Sequence, residues 1–223
     1  MPKFAVEYGK DGLPPPSEDG RLDAPAYHRN QGPIWDVIGS FLHEKTGHVL
    51  EIGSGTGQHA ANYALKSPDL TWWPSDIAAT HLASIESWRR HAALPNLRPP
   101  QAIDLMNADW RWDGDSPDAM LTAILCINVL HISPWRVAEN LLAGAGRLLD
   151  SGGYLFLYGP YKRGGAHTAA SNAEFDASLR ARNPEWGVRD LEAVVALAQV
   201  SGLSLARAAE MPANNLVLCF EHR

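Results

Sequence analysis

An apolar run that carries one carboxylate is followed by three glycines at alternate positions and then by a segment that can be helical. The stretch spans residues 49–59 and includes Glu51, Gly53, Ser54, Gly55, Gly57 and Gln58. Glycine is needed where the backbone adopts positive φ or passes close to a ligand. A helix over about 58–66 presents free N–H groups and a positive dipole end at its start. This order is typical of a buried strand that turns into a helix beneath a nucleotide-like ligand.

The spacing of the glycines distinguishes two such ligands. A dinucleotide fingerprint reads G-x-G-x-x-G, whereas here Gly57 comes one position early and Gln58 stands where that fingerprint has glycine. Glu51 precedes the first glycine by two residues, where a carboxylate suits an ammonium group better than a pyrophosphate. The pattern E-x-G-x-G-x-G resembles the first motif of class I S-adenosylmethionine-dependent methyltransferases. A glycine-rich turn without any ligand is the alternative interpretation.

Length and composition indicate one large domain with a substantial core. The chain has 223 residues, of which 45% are hydrophobic and 20% charged. Its formal net charge of −6 argues against a nucleic-acid partner, because such proteins usually present a basic face. No apolar stretch reaches the ~20 residues that a membrane span needs, and the N-terminus lacks a signal-peptide core. We therefore expect no membrane partner and a cytoplasmic location.

The two cysteines favour a structural role over a chemical one. Cys126 and Cys219 both fall in apolar, strand-like runs and have no metal-site spacing. Two such cysteines are typical of reduced core residues in a cytosolic protein. We therefore expect no metal ion.

Strand-like and helix-like segments alternate along the chain. Residues 1–22, rich in proline, glycine and charge, predict a flexible N-terminal arm, and residues 23–223 predict a single domain. We expect strands near 48–52, 70–74, 97–103, 119–127, 154–158, 203–210 and 215–221, with helices near 33–44, 58–66, 78–92, 134–149, 172–182 and 188–200. The alternation predicts an α/β fold: a doubly wound, Rossmann-like sheet of seven mostly parallel strands with a C-terminal antiparallel hairpin.

Ligands of open parallel sheets bind beyond the carboxyl ends of the strands, so the residues just after each strand are the candidates. Asp76 follows the second strand about twenty residues after the glycines, where a carboxylate can accept hydrogen bonds from both hydroxyls of a ribose. Asp104 follows the third strand and is placed to meet an adenine amino group. A solvent-facing strand end for Asp76 and a simple turn for Asp104 are the alternatives.

The loop after the fourth strand, residues 126–133, is expected to lie beside the methionine part of the cofactor and to face the acceptor. It contains Asn128 and His131, and histidine can take a proton near neutral pH. A histidine that only caps the next helix is the alternative. The loop lacks the Asp/Asn-Pro-Pro-aromatic run common in enzymes that methylate the amines of nucleic-acid bases, which argues against that activity.

The resemblance extends beyond the general class, because motifs lie at almost every strand end. They are Arg29-Asn30-x-Gly32-Pro33-Ile34, the glycine stretch, Trp73-Pro74-Ser75-Asp76, Cys126-Ile127-Asn128-x-x-His131, Leu157-Tyr158-Gly159-Pro160-Tyr161-Lys162, Ser171-Asn172-x-x-Phe175-Asp176, Trp186-Gly187-x-Arg189-Asp190 and Met211-Pro212-Ala213-Asn214-Asn215. Over about residues 24–221 the chain resembles the methyltransferase-like family long catalogued as a domain of unknown function. Gly53 is a departure, since alanine is common there in that family.

The resemblance implies which further residues approach the site. Arg29 would pair with the cofactor carboxylate or with an anionic acceptor, since a guanidinium fits a carboxylate with two parallel bonds; a surface salt bridge is the alternative. Tyr158, Tyr161 and Lys162 would leave the fifth strand on the acceptor side, with Tyr158 and His131 as candidate catalytic and acceptor-binding groups. Three more residues could approach the same cavity or serve as caps and turns: Asn172, Arg180 and Asn214.

These observations predict an enzyme that binds S-adenosylmethionine and transfers its methyl group to a small O, S or N acceptor. The cofactor is expected over Glu51 to Gln58, with Asp76 on the ribose and Asp104 near the adenine. Two alternatives remain: a methyltransferase-like module that binds the cofactor without turnover, and an NAD-type oxidoreductase. The sequence does not identify the acceptor or the oligomeric state.

Overall fold

The computed structural model describes residues 16–112 and 114–223. Its helices are α1 Pro25–Leu42, α2 Gln58–Lys66, α3 Ala79–Ala92, α4 Trp135–Leu148, α5 Ala170–Arg182 and α6 Leu191–Val200. Its strands are β1 Gly47–Ile52, β2 Leu70–Asp76, β3 Gln101–Ala102, β4 Leu121–Ile127, β5 Leu149–Arg163, β6 Ala166–His167, β7 Arg189–Asp190, β8 Leu203–Met211 and β9 Asn215–His222. Short 3₁₀ turns cover Leu130–Ile132 and Pro212–Asn214.

The strands form one sheet in the order β3-β2-β1-β4-β5-β9-β8. The first five of these run parallel, whereas β9 is antiparallel to β5 and β8 is antiparallel to β9. The short strands β6 and β7 pair with β5 outside this path. The predicted doubly wound sheet of seven strands with a C-terminal antiparallel hairpin is therefore confirmed. The strand order reverses between β1 and β4, and a ligand site is expected beyond their carboxyl ends.

The sheet separates two hydrophobic cores. Along β4, Ile124 and Cys126 face the core that also contains residues of α4 and α6, while Ala123 and Leu125 face the core shared with α1 and α2. Burial on both faces explains why this strand is almost entirely apolar. Cys126 and Cys219 are buried free thiols that belong to different cores. No helix within residues 16–112 and 114–223 is long and apolar enough to cross a membrane.

Helix α1 begins at Pro25, well before the predicted start at residue 33. Pro25 occupies the first helical turn, where its missing N–H costs nothing, but Gly32 and Pro33 inside the helix resemble a helix break in the sequence. The first half of α1 is fixed by polar contacts to α2, such as the 2.9 Å hydrogen bond between Asn30 Oδ1 and His59 Nε2. Apolar periodicity therefore could not indicate it.

Other boundaries differ for identifiable reasons. Strand β3 has two residues instead of the predicted seven, because Pro99 and Pro100 have no N–H to donate to the ladder. Ser133 does not cap α4 as its position suggests. Its hydroxyl instead donates to the carbonyl oxygens of Val129 and Leu130, and the helix begins at Trp135. Strand β5 extends to Arg163, because β7 pairs with its end.

The end of the predicted N-terminal arm is docked on α3, while residues 1–15 of that arm lie outside the described residues. Leu22 is buried, its N–H donates to Ser84 Oγ at 2.9 Å, and its carbonyl accepts from Trp88 Nε1 at 3.0 Å. The Ser84 hydroxyl in turn donates to the carbonyl of Thr56 in the glycine loop. The segment before α1 is thus tied to the loop through one serine.

The packing of Gly57 yields a stability prediction. Gly57 has φ of +89°, and a Cβ atom there would lie 2.8 Å from Ile85 Cα. Gly57→Ala is expected to lower the free energy of unfolding by about 2–5 kcal/mol, from left-handed strain and from overpacking together. Gly152→Ala is the control, because Gly152 has φ of +75° but nothing within 4 Å of its Cβ position. Urea titration should show a clearly smaller loss for the control; equal losses would contradict the close packing of the loop.

Candidate functional site

A single cavity opens at the carboxyl ends of the central strands. Its volume is about 690 Å³, within the usual range of about 300–1,000 Å³ for ligand pockets. Of the residues proposed from the sequence, eight line it: Arg29, Gly53, Gly55, Asp76, Asp104, Asn128, His131 and Asn172. The structure thus brings together residues from α1, from α5 and from four loops that are distant in the chain.

The glycine loop is shaped by positive φ angles and by close packing. Gly53, Gly55 and Gly57 have φ of +67°, +57° and +89°. A Cβ on Gly53 would lie 2.6 Å from Val129 Cγ2, so alanine at this position requires a shift of the neighbouring loop. Ser54 points away from the cavity and ties the loop to β2, since its N–H donates to the Ser75 carbonyl at 2.8 Å.

Asp76 connects the glycine loop to the start of α3. Its Oδ2 accepts from the Gly55 N–H at 2.9 Å, and its Oδ1 accepts from the N–H groups of Ile77 and Ala78 at 2.8 and 3.0 Å. His81 Nδ1 lies 3.0 Å from the same Oδ1. The carboxylate is 7% exposed and lines the cavity. It therefore organises the loop as well as facing the ligand space.

Asp104 forms a turn with its own neighbours. Its Oδ1 accepts from the Met106 N–H at 2.8 Å, and its Oδ2 accepts from Asn107 Nδ2 at 3.3 Å. The turn places Ile103, Leu105 and Met106 on the cavity wall around the carboxylate. This end of the cavity thus combines an apolar wall with one carboxylate, which can accept a hydrogen bond from a ligand.

Glu51 lies beneath the glycine loop instead of on the cavity wall. It is 1% exposed, and its Oε2 is buried without a hydrogen-bond partner among the described residues. Burial, reinforced by the nearby charge of Asp76, raises the pKa of Glu51 to about 8, although a hydrogen bond from Ser54 opposes the shift. The side chain is therefore mostly protonated at neutral pH.

His131 follows β4, whereas Asp76 ends β2, and these two strands flank β1 in the sheet. It is 6% exposed, and its ring makes an edge contact with Phe175 at 5.5 Å between centroids. Burial, with a smaller contribution from the positive charge of Arg189, lowers the pKa of His131 to about 4. The imidazole is thus neutral at physiological pH and can accept a hydrogen bond, but its lowered pKa makes it a weak base.

The loop that carries His131 is held by hydrogen bonds from the segment between α5 and α6. The Gly187 N–H donates to the His131 carbonyl at 3.0 Å, and Arg189 Nε donates to the Leu130 carbonyl at 3.0 Å. Behind the ring, a Cβ on Gly159 would lie 3.1 Å from His131 Nδ1, so glycine gives the ring its space. These contacts fix the position of the imidazole.

Gln58 holds the N-terminal segment and does not reach the cavity. Its Oε1 accepts from the Ala24 N–H at 2.8 Å, and its Nε2 donates to Asp23 Oδ1 at 2.7 Å. These bonds place the start of α1 beside the glycine loop, with Arg29 on the cavity wall. Arg29 has no hydrogen-bond or ion-pair partner in the described part of the chain, so the alternative of a surface salt bridge is not seen. Its guanidinium is available to an anionic group.

The structure places Tyr158, Tyr161 and Lys162 outside the cavity lining. Tyr161 is 2% exposed and belongs to a hydrophobic core, so it is dropped from the candidate site. Lys162 pairs with Asp176 at 3.3 Å. Tyr158 is buried too, but its hydroxyl accepts from Asn215 Nδ2 at 3.0 Å, and Asn215 does line the cavity. The resemblance implied that these three residues leave β5 on the acceptor side, but it did not indicate the direction of each side chain.

Sequence reasoning largely missed the wall that α5 contributes. Ser171, Asn172, Phe175, Leu179 and Arg182 all line the cavity. Their spacing of three and four residues marks one face of a helix, which was the available signal. Hydrophobic periodicity does not reveal this face of the helix, because polar residues share it with the apolar ones. Arg180 pairs with Asp176 on another face, and Asn214 lies in the turn before β9, where its carbonyl accepts from Asn172 Nδ2.

The family of the chain follows from a comparison with family models. Residues 21–222 match the model described as "Protein of unknown function (DUF938)". The chain belongs to this family. The predicted membership of a methyltransferase-like family catalogued under unknown function is thereby confirmed, and the match extends over nearly the whole described structure.

Three solved structures that are similar to this DUF938 protein are methyltransferases or proteins of an O-methyltransferase family. An O-methyltransferase family protein from Burkholderia thailandensis has a TM-score of 0.72 at 17% identity over 88% of this chain and 57% of its own. An O-methyltransferase family 2 protein from Planctomyces limnophilus, in complex with apigenin, has a TM-score of 0.67 at 18% identity. This match covers 86% of the present chain and 59% of the other. CalO1, a methyltransferase in calicheamicin biosynthesis, has in its SAH-bound form a TM-score of 0.62 at 15% identity. This match covers 80% of the present chain and 49% of CalO1.

These similarities establish a methyltransferase fold. The chain spans only about half to three-fifths of the length of the solved chains. Within residues 16–112 and 114–223, no group of three or more His, Cys, Asp or Glu side chains is arranged to hold a metal ion.

The buried carboxyl of Glu51 gives this DUF938 protein a testable pH dependence. The folded-state pKa of about 8 lies above the ordinary value of 4.5, so between these pH values the folded state holds one proton more than the unfolded state. The free energy of unfolding of the wild type should therefore fall with rising pH, relative to Glu51→Gln, by up to about 1.4 kcal/mol per pH unit.

Urea unfolding at a series of pH values measures this difference, and groups common to both proteins cancel. Glu139→Gln is the matched control, because Glu139 is solvent-exposed on α4, and its curve should parallel the wild type. A Glu51→Gln curve that also stays parallel to the wild type from pH 5 to 8 would contradict the protonated state of Glu51.

Proposed function

We propose that this protein is an S-adenosylmethionine-dependent methyltransferase that acts on a small-molecule acceptor at O, S or N. One observation carries the proposal. A single cavity joins the glycine loop, Asp76 and Asp104 at one end to the neutral imidazole of His131 at the other. The methyltransferase fold of the solved neighbours supports it, as does the SAH-bound form of one of them.

The residues present fit the methyl donor part by part. Asp76 would accept hydrogen bonds from the ribose hydroxyls, and Asp104 with its apolar neighbours would hold the adenine. The positive φ angles of Gly53 and Gly55 leave backbone close to the cavity without side chains in the way. Arg29 and Asn128 would meet the amino-acid end, where the free guanidinium matches a carboxylate.

The orphaned carboxyl oxygen of Glu51 bears on the same fit. A buried oxygen without a partner is costly unless a donor arrives in another state of the protein. Glu51 lies under the loop that would carry the positively charged end of the donor. A positive charge above the loop would favour the ionised form of Glu51, and in this proposal its role is electrostatic only once the donor is bound. Gln58 supports the site by fixing the N-terminal segment without touching the donor.

Bound S-adenosylmethionine supplies a methyl group on a sulfonium, and transfer to an O–H, S–H or N–H acceptor leaves S-adenosylhomocysteine and one proton. The chain contributes position, since the cavity lining can align the acceptor with the methyl donor, and alignment alone can supply much of the rate. His131 is neutral at physiological pH and a weak base, because burial lowers its pKa, so it would accept a hydrogen bond from the acceptor group while the released proton passes to solvent. Tyr158 orients Asn215 on the same wall.

The proposal extends to location and partners. A cytoplasmic protein keeps its thiols reduced, which agrees with the free Cys126 and Cys219. The cavity has a size that suits a small-molecule ligand. The net charge of −6 disfavours nucleic acid as the acceptor.

Asp76 provides the sharpest test of donor binding. Asp76→Asn is expected to weaken S-adenosylmethionine binding by ~1–3 kcal/mol or more, because a charge-assisted contact to the ribose is lost and the amide cannot accept the N–H groups on both sides of the carboxylate. Asp69→Asn is the matched control, since Asp69 is an exposed residue just before β2, at the opposite end of that strand. Isothermal titration calorimetry gives both affinities; unchanged affinity for Asp76→Asn would remove Asp76 from the ribose site.

The alternatives are tested with the same protein. Titration with NAD and with S-adenosylmethionine should show heat of binding only for the latter, and NAD binding alone would favour an oxidoreductase. Incubation with methyl-labelled S-adenosylmethionine and a metabolite panel should then produce a labelled product. Tight donor binding without transfer to any acceptor would favour a module that binds the cofactor without turnover.

A further inference from the structure

One face of α5 forms the far wall of the cavity and changes character along its length. Ser171 and Asn172 lie at its N-terminal end, Phe175 and Leu179 in the middle and Arg182 in the last turn. Phe175 is 40% exposed, a large value for an aromatic side chain. The wall therefore offers a polar end, an apolar middle and a cationic end to whatever occupies this half of the cavity.

The guanidinium of Arg182 is exposed at the end of α5. No hydrogen bond or ion pair of this side chain occurs within the described residues. The buried acid of the same helix, Asp176, is already surrounded by Lys162, His167 and Arg180 at 3.2–3.3 Å. Burial alone would raise the pKa of Asp176, but the Val188 N–H, Arg180 and Lys162 lower it. Among the described residues, neither acid of α5 is thus paired with Arg182.

The cavity does not supply a carboxylate for Arg182 either. Among the described residues that line it, Asp76 and Asp104 are the only acids. Both lie at the donor end and already accept backbone N–H groups. Arg29 lies between the two ends, because the contacts of Gln58 place the start of α1 beside the glycine loop and the charge of Arg29 also acts on Tyr158. The half of the cavity around α5 is therefore cationic and without a counter-charge.

We propose that the methyl acceptor carries an anionic group, a carboxylate or a phosphate, bound by Arg182, and an apolar body that packs on Phe175 and Leu179. This inference rests on the proposed methyl transfer and names the substrate class of that same site. A guanidinium binds either anion with two parallel hydrogen bonds. An aromatic ring offers flat apolar area to a partner ring or chain.

The arrangement also positions the acceptor for reaction. Phe175 touches the ring of His131 at 5.5 Å between centroids, so a body on Phe175 brings its own O–H, S–H or N–H group next to the imidazole. An anion held by Arg182 would then sit at the outer end of the acceptor, away from the donor. Arg182 acts in binding and orientation, and not in proton transfer.

A purely structural role for Arg182 makes a different prediction. A cation in the last helical turn stabilises the helix by interaction with its dipole. In that case Arg182→Gln would lower the free energy of unfolding and leave ligand binding unchanged.

The experiment is calorimetric titration of the full chain with benzoate, phenyl phosphate and benzamide, each with and without saturating S-adenosylhomocysteine. The two anions should bind, and benzamide, of nearly the same shape as benzoate, should bind at least about tenfold more weakly. Arg182→Gln should remove this preference, and Arg182→Lys should restore part of it. Arg207→Gln is the matched control, because Arg207 is exposed on β8 and does not line the cavity.

Comparison of benzoate with phenyl phosphate distinguishes carboxylate from phosphate acceptors. The anion that Arg182 binds better should show the larger loss of affinity in Arg182→Gln. Equal binding of benzoate and benzamide, no binding of either anion, or equal effects of Arg182→Gln and Arg207→Gln would overturn the inference. Unfolding curves of all variants show whether they are folded. Because the titrations without S-adenosylhomocysteine do not depend on the donor, failure of the proposed function would appear separately, as absent donor binding.

Discussion

The carboxylate of Asp76 is the interaction on which the site depends. It accepts the Gly55 N–H on one side and the N–H groups of Ile77 and Ala78 on the other, at 2.8–3.0 Å. The loop after β1 and the first turn toward α3 are thus held in one geometry around a single buried side chain. Hydrogen bonds to a charged acceptor are stronger than those between neutral groups, so this connection fixes a loop whose three glycines at positive φ could otherwise adopt many conformations.

Two further polar connections close the cavity from the sides. Gln58 binds Ala24 and Asp23 and so places α1 and Arg29 against the glycine loop. Asp176 collects Lys162, His167 and Arg180 and so fixes α5, whose opposite face lines the cavity. Both side chains are buried, and their hydrogen bonds and ion pairs lie within the protein. Arg29 and Arg182 have no such partner among the described residues, which is the basis for assigning anionic groups to both ends of the ligand space.

The parts of the structure that follow from hydrophobic periodicity were predictable. The central strands, the glycine loop and the C-terminal hairpin appear where the sequence places them, because apolar runs and glycine spacing are local signals. The first half of α1 and the short β3 were not predictable, since Asn30 binds His59 across the fold and prolines 99–100 interrupt the ladder. Site residues show the same division. Asp76, Asp104, Asn128 and His131 follow strands and reach the cavity, whereas Tyr161 and Lys162 continue β5 and point elsewhere.

The central claim is that one cavity holds the methyl donor and the acceptor on opposite sides, with the reacting centre between Asn128 and His131. A crystal structure of the protein grown with S-adenosylhomocysteine tests this most directly. The account predicts the ribose on Asp76, the adenine beside Asp104, and the thioether sulfur directed toward His131 and the face of α5 that carries Phe175. An S-adenosylhomocysteine molecule bound elsewhere, or one whose sulfur faces away from α5, would contradict it.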